Sequence, residues 1–201
     1  MTNSPGSQAM ITPADGDALL IVDVQNDFLP GGALGVAGGD EIVPVLNEYI
    51  ARFTRRGLPV IATRDWHPPD HCSFKDQGGP WPAHCVQDTA GADFAPGLLL
   101  PADVVIVSKG TSRDRDAYSG FQETGLHKIL QQRQVQRLFV GGLATDYCVK
   151  ATVLDARELG YDVYLLADAV RAVNVEAGDG ERAMARMSSA GAHAITLTEL
   201  G

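Results

Sequence analysis

The chain has 201 residues, 45% hydrophobic and 20% charged, with a formal net charge of −9. That length suits one domain with a sizeable core, and the acidic balance argues against nucleic acid or an anionic membrane surface as partner. No apolar run approaches the ~18–20 residues of a membrane span, and three cysteines (Cys72, Cys85, Cys148) do not form a disulfide framework but suit a reducing compartment.

Residues 1–16 are polar and contain Pro, Gly and Ser, without a basic start or an apolar core. They read as a frayed tail ahead of one domain over 17–201, not as a signal peptide, and together with the thiols this gives the expectation of a cytoplasmic protein. Ala18 to Val22 is a continuous apolar run, the mark of a strand buried on both faces. It runs into Asp23-Val24-Gln25-Asn26-Asp27-Phe28, which places the Asp23 carboxylate at the carboxyl end of a strand, where open α/β sheets put their active sites. Taken alone, Asp23 is equally a loop cap. No G-x-G-x-x-G spacing follows, so a dinucleotide fingerprint is absent.

Asp40 to Arg56 is amphipathic, with Ile42, Leu46, Tyr49 and Phe53 along one face, Asp40 as N-cap and Gly57 as stop. Pro59 to Thr63 reads as a second buried strand leading to Asp65-Trp66-His67 and His71. Asp65 and His67 are two apart, and on an extended chain they point the same way. A Gly- and Pro-rich segment with Trp81-Pro82-Ala83-His84-Cys85 follows, so three of the five histidines lie between positions 67 and 84. A carboxylate with imidazoles suits zinc, iron or manganese better than calcium or magnesium. The plain reading of the same segment is a polar loop with scattered histidines.

Asp103 to Val107 is a third strand, with Lys109 just past it; on its own Lys109 would read as a solvated surface group. A charged loop, Arg113 to Asp116, and Tyr118 lead to a helix through Leu126, Ile129 and Leu130. Leu138 to Val140 is a fourth strand, followed by Gly141-Gly142-Leu143-Ala144-Thr145-Asp146-Tyr147-Cys148. Val149, Val153, Ala156 and Leu159 then fall on one helical face, and Gly160 is placed to end the helix. Cys148 therefore sits in a first helical turn after a strand, where free amides and the helix dipole favour a thiolate. A lone cysteine is otherwise a small buried hydrophobe. Tyr161 to Leu166 is a fifth strand running into Asp168, Glu181 to Ala190 a helix, and Ala192 to Leu197 a sixth strand.

Alternating strands and helices predict an α/β fold: a single-domain three-layer sandwich with a six-stranded, mostly parallel sheet and helices on both faces. Asp23, Asp65, His67, Lys109 and Cys148 then share one edge of that sheet. This convergence raises each functional reading above its plainer alternative.

The stretches Asp23 to Phe28, Lys109-Gly110 and Ala144 to Val149 resemble the isochorismatase-like cysteine hydrolases. Asp65-Trp66-His67, His71 and Trp81 to Cys85 resemble the metal-binding nicotinamidase subgroup of that family. The likeness runs from about residue 18 to the C-terminus. It implies a triad of Asp23, Lys109 and Cys148 that opens an amide through a thioester, and an oxyanion hole from the amides of Ala144 and Cys148, a donor arrangement commonly worth ~3–4 kcal/mol. It also implies a cis peptide between Leu143 and Ala144. It implies one divalent metal, zinc first with iron or manganese as alternatives, held by Asp65, His67 and His84 with His71 as a fourth ligand. Phe28, Trp81 and Tyr118 would clamp an aromatic amide, nicotinamide, whose pyridine nitrogen meets the metal. Asp168 would support the site from behind, and relatives of this kind form homo-oligomers. A related hydrolase of another small amide or ureide, which would lack the metal, and a non-catalytic metal or redox module are the alternatives.

Overall fold

The computed structural model describes residues 10–201. Its strands are β1 (Asp17–Val22), β2 (Val60–Asp65), β3 (Val105–Lys109), β4 (Arg137–Leu143), β5 (Asp162–Arg171) and β6 (His193–Ile195). They form one sheet in the order β3-β2-β1-β4-β5-β6, and every neighbouring pair is parallel. The helices are α1 (Ile42–Arg55), α2 (Leu126–Gln132), α3 (Lys150–Glu158) and α4 (Asp179–Ser189).

Strand alternation divides the core into two layers. Leu19, Ile21, Ala62 and Phe139 pack with Leu46, Tyr49 and Phe53 of α1. Ala18, Leu20, Val22, Ile61 and Val140 face the other way, against Leu126 and Leu130 of α2, Val153 of α3 and Met187 of α4. Both faces of the central strands are therefore covered, which is why their sequences read as unbroken apolar runs. The expected three layers and single sheet are present.

Local chemistry moves some boundaries. A short 3-10 turn over Gly39–Glu41 precedes α1, and Asp40 makes no side-chain cap. The helix ends as expected at Gly57, whose φ of 68° follows from its lack of a side chain; Leu58 N–H reaches back to Phe53 O and Gly57 N–H to Thr54 O. β5 runs on to Arg171 across an irregularity opposite Val140 and Gly142 of β4. Asp168 lies within that strand. Its carboxylate accepts from Tyr49 Oη at 2.9 Å and from the Leu197 amide at 2.8 Å. It therefore ties α1 to the C-terminal turn and does not support the site. Of the stretch expected as a tail, residues 1–9 lie outside the described residues, while Ile11 pairs in parallel with Leu200. Among the described residues no helix is long and apolar enough to cross a membrane.

The connection from β2 to β3, residues 66–104, contains no α-helix, only short 3-10 turns. It folds over the carboxyl ends of the strands. The sheet order reverses between β1 and β4, and the crevice outside that point is where such sheets hold ligands.

Candidate active site and metal centre

Four strand ends converge on this crevice. β2 ends on Asp65 and β3 on Lys109, which are partners in the parallel register. β1 stops at Val22, and Asp23 then takes a left-handed conformation with φ of 49°. β4 leads through a cis peptide between Leu143 and Ala144 into one π-helical turn, Thr145–Val149, ahead of α3. Cys148 thus stands in a π turn, not in the first α-helical turn that its apolar periodicity predicts. Such turns recur at functional sites. Gly142 makes the close passage of β4 past β1 feasible: it has φ of 129°, and a Cβ there would lie 2.1 Å from Val22 O.

Asp23, Lys109 and Cys148 are brought together and buried, with Asp23 and Lys109 at 0% and 1% exposure. Lys109 Nζ lies 2.9 Å from Asp23 Oδ2, 2.5 Å from Asp65 Oδ1 and 3.4 Å from Cys148 Sγ, and it donates to Ala117 O at 3.1 Å. Thr63 Oγ1 donates to Asp23 Oδ1 at 2.6 Å. Asp23 Oδ2 accepts no well-aligned hydrogen bond beyond its ion pair, so it is available to a proton. Asp23, Asp65 and Cys148 each offer an atom within 4.8 Å of the others.

One ammonium among two carboxylates and a thiol sets the charge balance. Burial pushes the Cys148 thiol well above its usual range, and the Lys109 charge offsets this only in part. Burial also raises Asp23, against the pull of Lys109. Burial opposes the charge of Lys109, but Asp23 and Asp65 outweigh it and hold the amine protonated. For Asp65, Lys109 and His67 overcome the desolvation and keep its carboxylate ionised. A thiol raised by burial beside a carboxylate of raised proton affinity is a pair suited to proton transfer.

Beside this array, Asp65, His67 and His84 present ligand atoms all within 4.8 Å of one another. Their hydrogen-bond pattern suits a metal ion. His67 Nδ1 donates to Gly110 O at 2.9 Å and His84 Nδ1 to Pro82 O at 2.8 Å, which leaves each Nε2 lone pair free. Asp65 Oδ2 lies 3.7 Å from His67 Nε2. One carboxylate and two imidazoles form a donor set for a divalent transition metal, with positions left for other ligands. His71 does not join them. It stacks on His67 with ring centroids 4.1 Å apart, but its Nε2 donates to Arg115 O and its Nδ1 accepts from Ser73. Both nitrogens are committed, so the fourth-ligand expectation is corrected: His71 braces His67. Cys85 is buried and Cys72 half-buried, both free thiols outside the cluster.

Cys148 and the donor cluster meet at one pocket, lined by Phe28, Trp81, Tyr118, Tyr147, Asp65, His84 and Cys148 among others. Trp81 Nε1 donates to Tyr118 Oη at 3.0 Å, and the Trp81 and Tyr147 rings meet edge to face at 5.2 Å. Leu34 and Val173 also line the pocket. Sequence reasoning had no signal for these two, because isolated apolar residues in loops carry no period. It also assigned no role to Gln25, Asp27, Thr63 or Tyr147. Asp27 accepts the Cys85 amide at 2.7 Å and so steadies the backbone next to His84. The run Asp23 to Phe28 was visible as a unit, but what each side chain grips depends on the fold.

Residues 17–199 match the isochorismatase domain model, and the chain belongs to the isochorismatase family. Within that family it is 43% identical over 203 residues to the nicotinamidase of Escherichia coli strain K12, covering 90% of this chain and 95% of that one. The pyrazinamidase of Pyrococcus horikoshii in complex with zinc superposes with a TM-score of 0.87 at 51% identity, covering 90% of this chain and 99% of that chain. A PnC1 structure from L. infantum in complex with nicotinate gives a TM-score of 0.87 at 36% identity, covering 96% and 98% of the two chains.

Proposed function

We propose that this chain is a metal-dependent amidohydrolase that converts nicotinamide to nicotinate and ammonia. The observation that carries the reading is that Cys148, backed by Asp23 and Lys109, and Asp65 and His84, two of the three clustered donors, open onto one aromatic-lined pocket. The nicotinamidase named among its relatives and the nicotinate held by a solved neighbour support the substrate.

The ring enters between Phe28 and Trp81, with Tyr118 and Tyr147 closing the pocket. Cys148 Sγ attacks the carboxamide carbon as Asp23 takes the thiol proton. Lys109, within 3.4 Å of the sulfur, stabilises the charge that develops on it. The amides of Ala144 and Cys148 receive the oxyanion. The C–N bond breaks, Asp23 passes its proton to the leaving nitrogen, and ammonia departs. Water, deprotonated by Asp23, opens the thioester to nicotinate and restores the thiol. Asp65, His67 and His84 would hold the metal, zinc by analogy with the zinc-bound neighbour, which would supply Lewis acidity toward the pyridine nitrogen. Released nicotinate returns the pyridine ring to NAD salvage.

The test is ammonia release from nicotinamide by a preparation analysed for bound metal. Turnover with about one metal per chain is expected from the three-donor set. Cys148→Ala should abolish turnover and retain the metal, whereas His67→Ala should lose the metal. Retained turnover in Cys148→Ala would overturn the mechanism.

A further inference from the structure

We propose that Gln25 is a positioning residue for Asp65: its side-chain amide replaces the strand that β1 ceases to provide, and so fixes the Asp65 carboxylate between the metal donors and Lys109. β1 pairs with β2 only as far as Val22 opposite Thr63. One residue on, Asp23 donates its N–H to Thr63 O and turns left-handed at φ of 49°. β2 continues to Asp65. The N–H and C=O of Asp65 face the side that β1 has left, and buried backbone groups need partners.

Gln25 supplies both. Its Oε1 accepts the Asp65 N–H at 2.8 Å, and its Nε2 donates to Asp65 O at 2.8 Å. The second Nε2 hydrogen goes to Ala92 O at 2.9 Å. The residue has 0% exposure, and its donors and acceptor are all used. A primary amide presenting one acceptor and one donor to a single residue copies the peptide group of a neighbouring strand. On the opposite side, β3 holds the register that sets Lys109 against Asp65. Asp65 is thus gripped from both sides while its two oxygens divide: Oδ1 meets Lys109 and Oδ2 faces His67. Gln25 is in neither the pocket lining nor the donor cluster, so its effect on the site passes through Asp65.

This inference rests on the reading of Asp65 as a metal donor. The test measures zinc affinity, by competition with a chromophoric chelator, for the wild type, Gln25→Met, Gln25→Glu and Phe53→Leu. The last is a core change on α1 far from the crevice, and it lowers stability without touching Asp65. A support behind a metal ligand commonly changes affinity by ~10–100-fold, and Gln25→Met should fall in that range. Gln25→Glu keeps the acceptor for the Asp65 N–H but sets an oxygen against the Asp65 and Ala92 carbonyls, so a loss in the same range is expected. Phe53→Leu should bind zinc as the wild type does. If Gln25→Met does not fold, Gln25→Glu decides the matter. Zinc binding as tight as wild type in the folded Gln25 variants overturns the proposal. A wild type that binds no zinc overturns the metal reading instead. In that case the iodoacetamide labelling rate of Cys148, followed by mass spectrometry, still reports on the Asp65–Lys109 pair: a changed rate in Gln25→Glu supports the clamp and an unchanged one overturns it.

Discussion

Lys109 Nζ stands 2.5 Å from Asp65 Oδ1, so the lysine that faces the cysteine also faces a member of the three-donor cluster. Cys148 and the donor cluster therefore share one charge balance. Without a cation at Asp65, the single ammonium must serve two carboxylates. A divalent ion on Asp65 would relieve that demand and leave more of the Lys109 charge to Asp23 and Cys148.

Lys109→Met should expose this sharing. Removing one partner of a buried ion pair costs about 3–5 kcal/mol, because the remaining charge is left without compensation. Here two carboxylates would be stranded. Urea denaturation should show a loss of that size in the metal-free variant and a smaller loss after zinc is added. Equal losses in both states would mean that Asp65 and Lys109 are energetically independent.

Legibility from sequence followed burial. β1 and β2 were readable because both faces are covered and their runs Ala18–Val22 and Val60–Ala62 are apolar. Asp23, Lys109 and Cys148 stood out because each follows such a run. The pairing of Asp65 with Lys109 was not readable, since it depends on how two strands separated by residues 66–104 align in register. Gln25 was hidden for a related reason: its partners exist only because β1 stops two residues short of β2's end. His71 was placed among the ligands by the family resemblance, which is blind to the Ser73 and Arg115 groups that occupy its nitrogens.

The buried thiol makes a prediction about pH. Cys148 is pushed above the ordinary thiol value of 9.0 by burial. As pH rises past that value, the unfolded chain loses a proton that the folded chain keeps. The unfolded state then binds fewer protons, so stability falls with rising pH. Cys85, also raised by burial, contributes with the same sign. Denaturation followed from about pH 8 to 10 should therefore give a falling curve, and Cys148→Ala should flatten it. An identical slope in the variant would show that Cys148 is not held as a neutral thiol.

Gly110 tests the placement of His67. Its φ is 59°, and a Cβ there would lie 2.4 Å from His67 Cε1 and 2.7 Å from Nδ1. Gly110→Ala must push the imidazole aside and weaken its bond to Gly110 O. Loss of such support commonly lowers metal affinity by ~10–100-fold. The matched control is Gly57→Ala, where φ is 68° but nothing lies within 4 Å. Both carry backbone strain of about 1 kcal/mol, yet only Gly110→Ala should release zinc in a chelator competition. Zinc loss of equal size in both would point to general destabilisation.

Trp81 tests the pocket. Its ring lies edge to face with Tyr147, and its indole N–H holds the Tyr118 hydroxyl at 3.0 Å. Trp81→Ala removes a stacking face and frees Tyr118 at once. Burial and aromatic contact together are worth about 2 kcal/mol here, which corresponds to a loss of roughly 30-fold in kcat/KM for nicotinamide. Because the ring grips ground state and transition state alike, the change should fall mainly on KM. Trp81→Phe keeps a face but not the donor, and its smaller effect isolates the hydrogen bond to Tyr118. Zinc affinity should be unchanged in both variants, since Trp81 meets none of the three donors in the cluster. A loss confined to kcat, with KM unaltered, would remove Trp81 from ring binding and place it in the support of Cys148.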